Sequence, residues 1–428
     1  MHPAKAIPRD PFGWCIALTG AFWALLMVRL TIPTQPYFDE IHYLPAAREY
    51  WQLGSFVNRE HPLFGKLLIA LGMQLFGDGP MGWRAFPAAA GALTLFAGMR
   101  ALWFAAQSRF ATVAYGLLLA SGFYIFVNAR IAMLDIFMVA FTALAYWQLA
   151  AAVREPENGR SRLALAGIAL GLALASKWNA APLALLPGLA FFAIRLRAGR
   201  RRLLLSKRSA PVPGVSLIEA GIWLGILPLA IYSLTYAPAW FFATGAIGHP
   251  GGSANFLALH TDAIRLQESV VKQHPYMSRW PQWVLNSRSI WYLYEPVDGA
   301  QRGVVLIGNP LTMLLGLPAL LWAASEAVLK RNPAATAVTV LYAVTLGFWI
   351  ASAKPVQFLY HYFLPSMALL AALALALDAL WRSGRQWLAM LPLVGSIAMF
   401  AHFYPILSSA PLSGPGAFAD WMWLNRWR

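Results

Sequence analysis

Residues 358–378 read FLYHYFLPSMALLAALALALD, and between His361 and Asp378 they carry no charged side chain. Leu and Ala fill the run without period-two alternation, so it reads as a helix and not as one strand of a barrel. A membrane-crossing helix needs roughly 20 mostly apolar residues. About eleven such runs occur, at 12–32, 83–104, 110–128, 133–153, 162–177, 180–196, 216–236, 304–324, 335–352, 358–378 and 387–407. They use up most of the 428 residues, of which 59% are hydrophobic and 12% charged. A soluble domain carries about 25% charged residues. The sequence therefore predicts an all-α polytopic membrane protein, a single transmembrane domain over 1–428.

Charge sets the orientation. The net charge of +16 does not read as a nucleic-acid surface, because the bases cluster in short gaps between apolar runs. The densest cluster, Arg195 to Arg208, includes Arg200, Arg201, Arg202, Lys207 and Arg208. Such gaps read as cytoplasmic loops beside anionic lipid headgroups. Lys5 and Arg9 precede the first run, which is too long for a cleaved signal and reads as a retained signal anchor. With the N-terminus inside, the loops at about 33–82 and 237–303 are external, as is the C-terminus. Cys15 lacks a partner for an internal disulfide. Residues 255–273 are expected as a helix lying on the membrane, with Phe256, Leu257, Ile264 and Val271 toward lipid. Residues 276–296, rich in Trp and Tyr, are expected as an interfacial layer.

The unusual polar residues gather on the external side. Asp39, Glu40, His42, His61 and Lys66 lie in the first external loop, and His274 and Arg279 in the second. Arg130, Asp135, Lys177, Lys354 and His361 flank external helix ends, and every histidine except His2 is placed outside or near the outer surface. Ionisable groups at membrane depth are costly, so segments far apart in sequence that each contribute one point to a shared cavity. Singly, each has a plainer reading: Lys177 snorkelling, Arg130 and Asp135 as a local ion pair, the tryptophans as an aromatic belt. Asp39-Glu40 follows Pro36-Tyr37-Phe38, where no cap demands two acids. Paired carboxylates beside a basic cavity suit a general base working near an anionic leaving group. Asp39, Glu40 and His42 lack a metal-binding spacing, so neither a metal nor another cofactor is expected.

Several stretches resemble, in order, the protein O-mannosyltransferases. They are Phe38-Asp39-Glu40-Ile41-His42-Tyr43, His61-Pro62-Leu63-Phe64-Gly65-Lys66, Arg130-Ile131-Ala132-Met133-Leu134-Asp135 and Ala175-Ser176-Lys177-Trp178. His274-Pro275-Tyr276-Met277-Ser278-Arg279-Trp280, Ile307-Gly308-Asn309-Pro310 and Tyr360-His361-Tyr362-Phe363-Leu364-Pro365 continue the series. The resemblance implies the glycosyltransferase C (GT-C) fold with eleven helices and a lumenal or periplasmic active site. It implies a polyprenyl-phosphate-sugar donor and Ser/Thr hydroxyls of exported proteins as acceptors, in a bacterial inner membrane. Members often read His-Pro-Pro where this chain has His61-Pro62-Leu63, and eukaryotic ones carry a MIR domain for which the loop at 237–303 is too short.

The implied mechanism makes Asp39 the base and attack inverting. Glu40 and His61 would orient acceptor or base. Lys66, Arg130, Asp135, Lys177, His274, Arg279, Lys354 and His361 would bind the donor's phosphate or sugar. Two other readings were open. Amino-arabinose transferases acting on lipid A share the external Asp-Glu but typically carry Lys-Pro-Pro-Leu near the His61 position. A transporter should place its charges at mid-membrane in broken helices.

Overall fold

Long apolar runs become long helices. A computed structural model describes residues 9–198, 203–208, 210–269, 271–272 and 274–428; His2, Lys5 and the cluster members Arg200, Arg201 and Arg202 lie outside these. The helices are α1 (Phe12–Met27), α2 (Glu40–Gln52), α3 (Phe64–Phe76), α4 (Pro80–Ala106), α5 (Arg109–Ala120), α6 (Tyr124–Asn128), α7 (Leu134–Arg154), α8 (Gly159–Ser176) and α9 (Ala181–Arg197). Then come α10 (Leu217–Gly221) and α11 (Leu227–Leu234), joined by a π turn, α12 (Phe256–Glu268) and α13 (Trp280–Val284). The last four are α14 (Pro310–Leu329), α15 (Pro333–Ala351), α16 (Phe363–Arg382) and α17 (Gln386–Leu407).

Among the described residues, eight helical stretches are long and apolar enough to cross a membrane. The other three expected spans fall on α1, on α5 and α6 with a break between them, and on α8, which starts with Arg160 and Arg162. The protein is a multi-pass membrane protein. Its centre is α4, α7 and α16, the most deeply buried of the long helices. Small residues let helices approach: Gly167 and Gly171 on α8 face the Trp223 and Pro228 carbonyls so closely that a Cβ at either would clash with backbone.

Two helix starts share one signal. Asn309 caps α14 through the Leu311 N–H at 3.2 Å, and Asn332 caps α15 through the Ala334 N–H at 3.1 Å, each followed by proline. Asn309 also donates to the Ser121 and Ser396 carbonyls at 2.8 and 3.0 Å, tying α14 to the α5 end and to α17. The Gly308-Asn309-Pro310 stretch thus works as a cap and cross-tie.

Three expectations are corrected. A hairpin, β1 (Ile290–Val297) and β2 (Ala300–Leu306), occupies the stretch where the interfacial layer ended and a helix was to begin. Its turn is Asp298-Gly299, with φ of +49° and +75°, the left-handed pair that suits the twist of a tight hairpin. Second, Trp283, Trp291 and Tyr292 are buried in protein and so do not form a lipid-facing belt. Third, α12 exposes Leu257, Ile264 and, just beyond it, Val271, but Phe256 turns inward against Tyr236 and Trp240.

Candidate active site

Asp39 stands at the turn from α1 into α2. Its predecessor Phe38 has φ of +50°, a conformation a bulky residue keeps only where its surroundings hold it. The Phe38 ring stacks on Tyr292 of β1 at 4.1 Å. On the other side Glu40 is fully buried and paired with Arg84, 2.8 Å from each carboxylate oxygen. Glu40 also accepts the N–H groups of Tyr37 at 3.2 Å and Ala132 at 3.0 Å. Arg84 donates on to the Leu30 and Pro33 carbonyls and lies over the Tyr37 ring. Glu40 therefore clamps the loop to α4 and has no free edge for an acceptor, which leaves orientation of the base, the other half of the role expected of it. Its influence on Asp39 runs through the backbone.

The Asp39 carboxylate itself makes no hydrogen bond or ion pair among the described residues, while its carbonyl accepts the His42 and Tyr43 N–H groups that start α2. Burial pushes this carboxyl up to about 6; Lys177 opposes the rise and Asp135 adds to it. The group is half-buried and uncommitted.

The expected cations divide into three sets. Lys177 ends α8 and pairs with Asp135, in the first turn of α7, at 2.7 Å, with its ammonium over the Tyr360 ring. Lys354, in the loop between α15 and α16, makes no side-chain hydrogen bond or ion pair among the described residues. Burial and then the Lys177 charge bring its ammonium down to about 8, while Asp135 and Asp39 hold it up. These four groups share one electrostatic field. His361 stacks on Trp349 at 3.8 Å and accepts the Phe358 N–H on Nδ1, which assigns the proton of the neutral ring to Nε2. His61 lies edge-on to Tyr43, and burial, with Lys177, Lys66 and Lys354 nearby, holds its ring well below the usual histidine range.

A second set serves the scaffold. Lys66 is fully buried and donates to the Tyr50 hydroxyl, the Asn58 carbonyl and side-chain oxygen, and the His61 carbonyl, between 2.6 and 3.1 Å. Its three protons are used, so it shapes the turn bearing His61 and does not reach for a phosphate. Arg130 gives its guanidinium to the Leu26, Val28 and Arg29 carbonyls, the unsatisfied end of α1. It is not paired with Asp135 and has its terminal nitrogens occupied, against its expected place on the phosphate. His274 and Arg279 form the third set, exposed at the outer edge. His274 packs on Phe358, and Arg279 opens α13, whose Trp283 ring is 6.0 Å from His361.

Sequence reasoning missed Arg84, Tyr292 and Tyr360. Arg84 had a signal, being one of two arginines, with Arg100, inside the apolar run at 83–104, and intramembrane charge is a flag in itself. Tyr292 had none, because its role is contact with Phe38; Tyr360 stands in the stretch beside His361 that carries the resemblance, but nothing there names its contact with Lys177.

An apolar cavity of about 150 Å³ starts one helical turn below these charges. Val139 lies four residues beyond Asp135 on α7, and Leu364 three beyond His361, so each lines it from the same side of its helix. A second apolar cavity of about 570 Å³ shares Tyr146, Ala150, Ala337 and Leu341 and continues to Arg331 at the opposite end of the helices. The arrangement joins an uncommitted carboxylate, several cations and a long groove for an apolar chain. Among the described residues no cluster of three His, Cys, Asp or Glu is placed to hold a metal.

The fold is that of the GT-C membrane glycosyltransferases. The protein resembles the Saccharomyces cerevisiae protein O-mannosyltransferase Pmt1-Pmt2 complex bound to the sugar donor, with TM-score 0.83, 15% identity and coverage of 100% of this chain and 93% of that one. ArnT from Cupriavidus metallidurans gives TM-score 0.54 at 17% identity, over 88% of this chain and 62% of its own. The dolichyl-phosphate-mannose-protein mannosyltransferase profiles match residues 16–83 and 60–223, and the C-terminal four-transmembrane region of protein O-mannosyltransferase matches 253–427. The chain belongs to this protein O-mannosyltransferase family. The polyprenol-phosphate-mannose–protein mannosyltransferase of Mycolicibacterium smegmatis is 29% identical, covering 100% of this chain and 97% of its own. That of Mycobacterium tuberculosis is 28% identical over 100% and 96%.

Proposed function

We propose that this protein transfers mannose from a polyprenyl-phosphate carrier to Ser or Thr hydroxyls of exported proteins. The reading is carried by the uncommitted Asp39 carboxylate facing the Lys177 and Lys354 charges at the head of an apolar groove. The polyprenyl tail lies in that groove. Its phosphate sits near Lys354, Lys177 and His361, and the sugar lies between phosphate and Asp39.

The acceptor oxygen attacks C1 of the sugar from the face opposite the phosphate. A C1–O bond to the acceptor forms as the C1–O bond to phosphate breaks, and the electron pair leaves on phosphate oxygen. The hydroxyl proton passes to Asp39. The leaving group is an acidic phosphate, so cationic stabilisation in a water-poor site serves where a general acid would otherwise be needed. Lys354 is the cation best placed for this, because its ammonium has no other partner among the described residues. Inversion at C1 follows from opposite-face attack. In the cell the protein sits in the bacterial inner membrane, N-terminus cytoplasmic, with the Asp39 pocket on the far side.

The test is transfer of radiolabelled mannose from polyprenyl-phosphate-mannose to a Ser/Thr peptide by the purified protein. Labelled peptide with inverted anomeric configuration is expected. Donor turned over with a lipid acceptor and no peptide labelled would overturn the reading.

A further inference from the structure

A polar groove of about 650 Å³ lies where the hairpin turn, the segment before Asp39 and the chain beyond α17 meet. Gln35, Glu295, Asp298, Gln301, Ser413 and Pro415 help to line it. Two paths bound its distance from Asp39. Gln35 is four residues upstream, at most about 14 Å of extended chain. Glu295 is three residues beyond Tyr292, about 10 Å of strand, and Tyr292 stacks on Phe38. An extended acceptor with its hydroxyl at Asp39 therefore brings its third or fourth neighbouring residue to the groove.

The lining has two carboxylates and no basic side chain. Asp298 is occupied by the Thr34 N–H and hydroxyl at 2.9 and 2.5 Å. Glu295 is exposed, with no side-chain partner among the described residues. Its cross-strand neighbour Arg302 turns instead to the Val297, Asp298 and Ser409 carbonyls. Gln301 is the second observation: it is 9% exposed, yet its side-chain amide makes no hydrogen bond among the described residues. The amide is not among the fully buried unpaired polar groups, so its free edge opens on the groove, and an amide's paired donor and acceptor match those of a peptide bond.

We propose that this groove is the subsite for the acceptor chain flanking the modified hydroxyl. Gln301 pairs with a peptide bond of the acceptor, and Glu295 selects a basic side chain three or four residues from the Ser or Thr. This rests on the protein-acceptor reading above.

The experiment uses the purified full chain, polyprenyl-phosphate-mannose and matched peptides with one Thr. Lys, Gln or Glu is placed three or four residues to either side, and KM and kcat are measured at low and high salt. The Lys peptide should show a KM roughly threefold to fivefold below the Glu peptide, the scale of an exposed ion pair, and the gap should shrink in high salt. Glu295→Gln, an exposed change, should bring the ratio to about one. Gln301→Ala should raise KM for every peptide with kcat retained. Equal use of Lys and Glu peptides, or a preference that survives Glu295→Gln, overturns the subsite and leaves peptide mannosylation standing. Absence of transfer to any peptide overturns both.

Discussion

Lys177 and Asp135 form a buried ion pair at 2.7 Å that joins the end of α8 to the start of α7. The pair has two possible uses, holding helices together and presenting a cation to the donor. Breaking one side strands a buried charge, which typically destabilises by about 3–5 kcal/mol. Lys177→Met alone should lower the melting temperature. Lys177→Met with Asp135→Asn should recover much of that loss while transfer stays low. Recovery of transfer along with stability would make Lys177 a structural residue only.

Asp39→Asn should lower kcat by about 10²–10⁴, the range for losing a general base, with donor affinity retained. The pH profile adds a sign. With the carboxyl pushed up to about 6, it is protonated and inactive as a base below that pH, so the rate should rise as pH passes upward through about 6. The same raised value means that ionising Asp39 disfavours the fold as pH rises from about 4 to 6. The Asn variant should therefore melt no lower than the wild type at neutral pH. A stable Asn variant with near-normal transfer would move the base elsewhere.

Lys354 is expected to set the other limb. Held down to about 8, its ammonium loses its charge as pH rises through that value, and phosphate stabilisation goes with it. Lys354→Arg keeps the charge to far higher pH, so the alkaline limb should move up even if the maximal rate falls. Lys354→Met should raise KM for the lipid donor below about pH 8, with the difference from the wild type shrinking above it. An unmoved limb in the Arg variant would assign it to another group.

Glu40 and Asp39 are neighbours with opposite expected phenotypes. Glu40→Gln removes one partner of the buried Arg84 pair and should cost about 3–5 kcal/mol of stability. Its activity loss should track unfolding, measured by tryptophan fluorescence against temperature. A folded, inactive Glu40→Gln variant would return Glu40 to the chemistry.

Trp427 is buried against the hairpin, its carbonyl accepting from Ser289 and Trp291 and its indole donating to the Asn286 carbonyl at 2.8 Å. Trp427→Ala should loosen β1 and, through Tyr292, the Phe38 stack. Lower melting temperature and reduced kcat are expected together; faster proteolysis near residues 286–291 would locate the loosening.

The membrane-crossing helices were legible because an apolar run of this length has few other ways to satisfy its backbone. The hairpin was not, although Asp298-Gly299 is a strong turn signal. Its flanks, Trp291 to Tyr294 and Val304 to Ile307, also fit an aromatic layer and the start of a span. At the site, the shared side of the charges in sequence pointed to residues that the packed helices do bring together, Asp39, Asp135, Lys177 and Lys354. The roles of Glu40, Lys66 and Arg130 were not legible, because charge alone does not name a partner. Arg84 is 44 residues from Glu40, and the α1 carbonyls are about a hundred from Arg130. Only the packed helices bring them together.

The apolar groove beneath Asp135 and His361 has a kinetic consequence. A polyprenyl chain is the same before and after the sugar leaves, so under the proposed function a groove that takes the tail would hold donor and spent carrier with equal grip. Binding that does not change along the reaction lowers KM without raising kcat. A longer or better-fitted tail would then slow departure of the used lipid as much as it helps arrival of the fresh one. Rate differences among carriers of different length should appear in product inhibition and at saturation, and the chemical step at Asp39 should be indifferent to them.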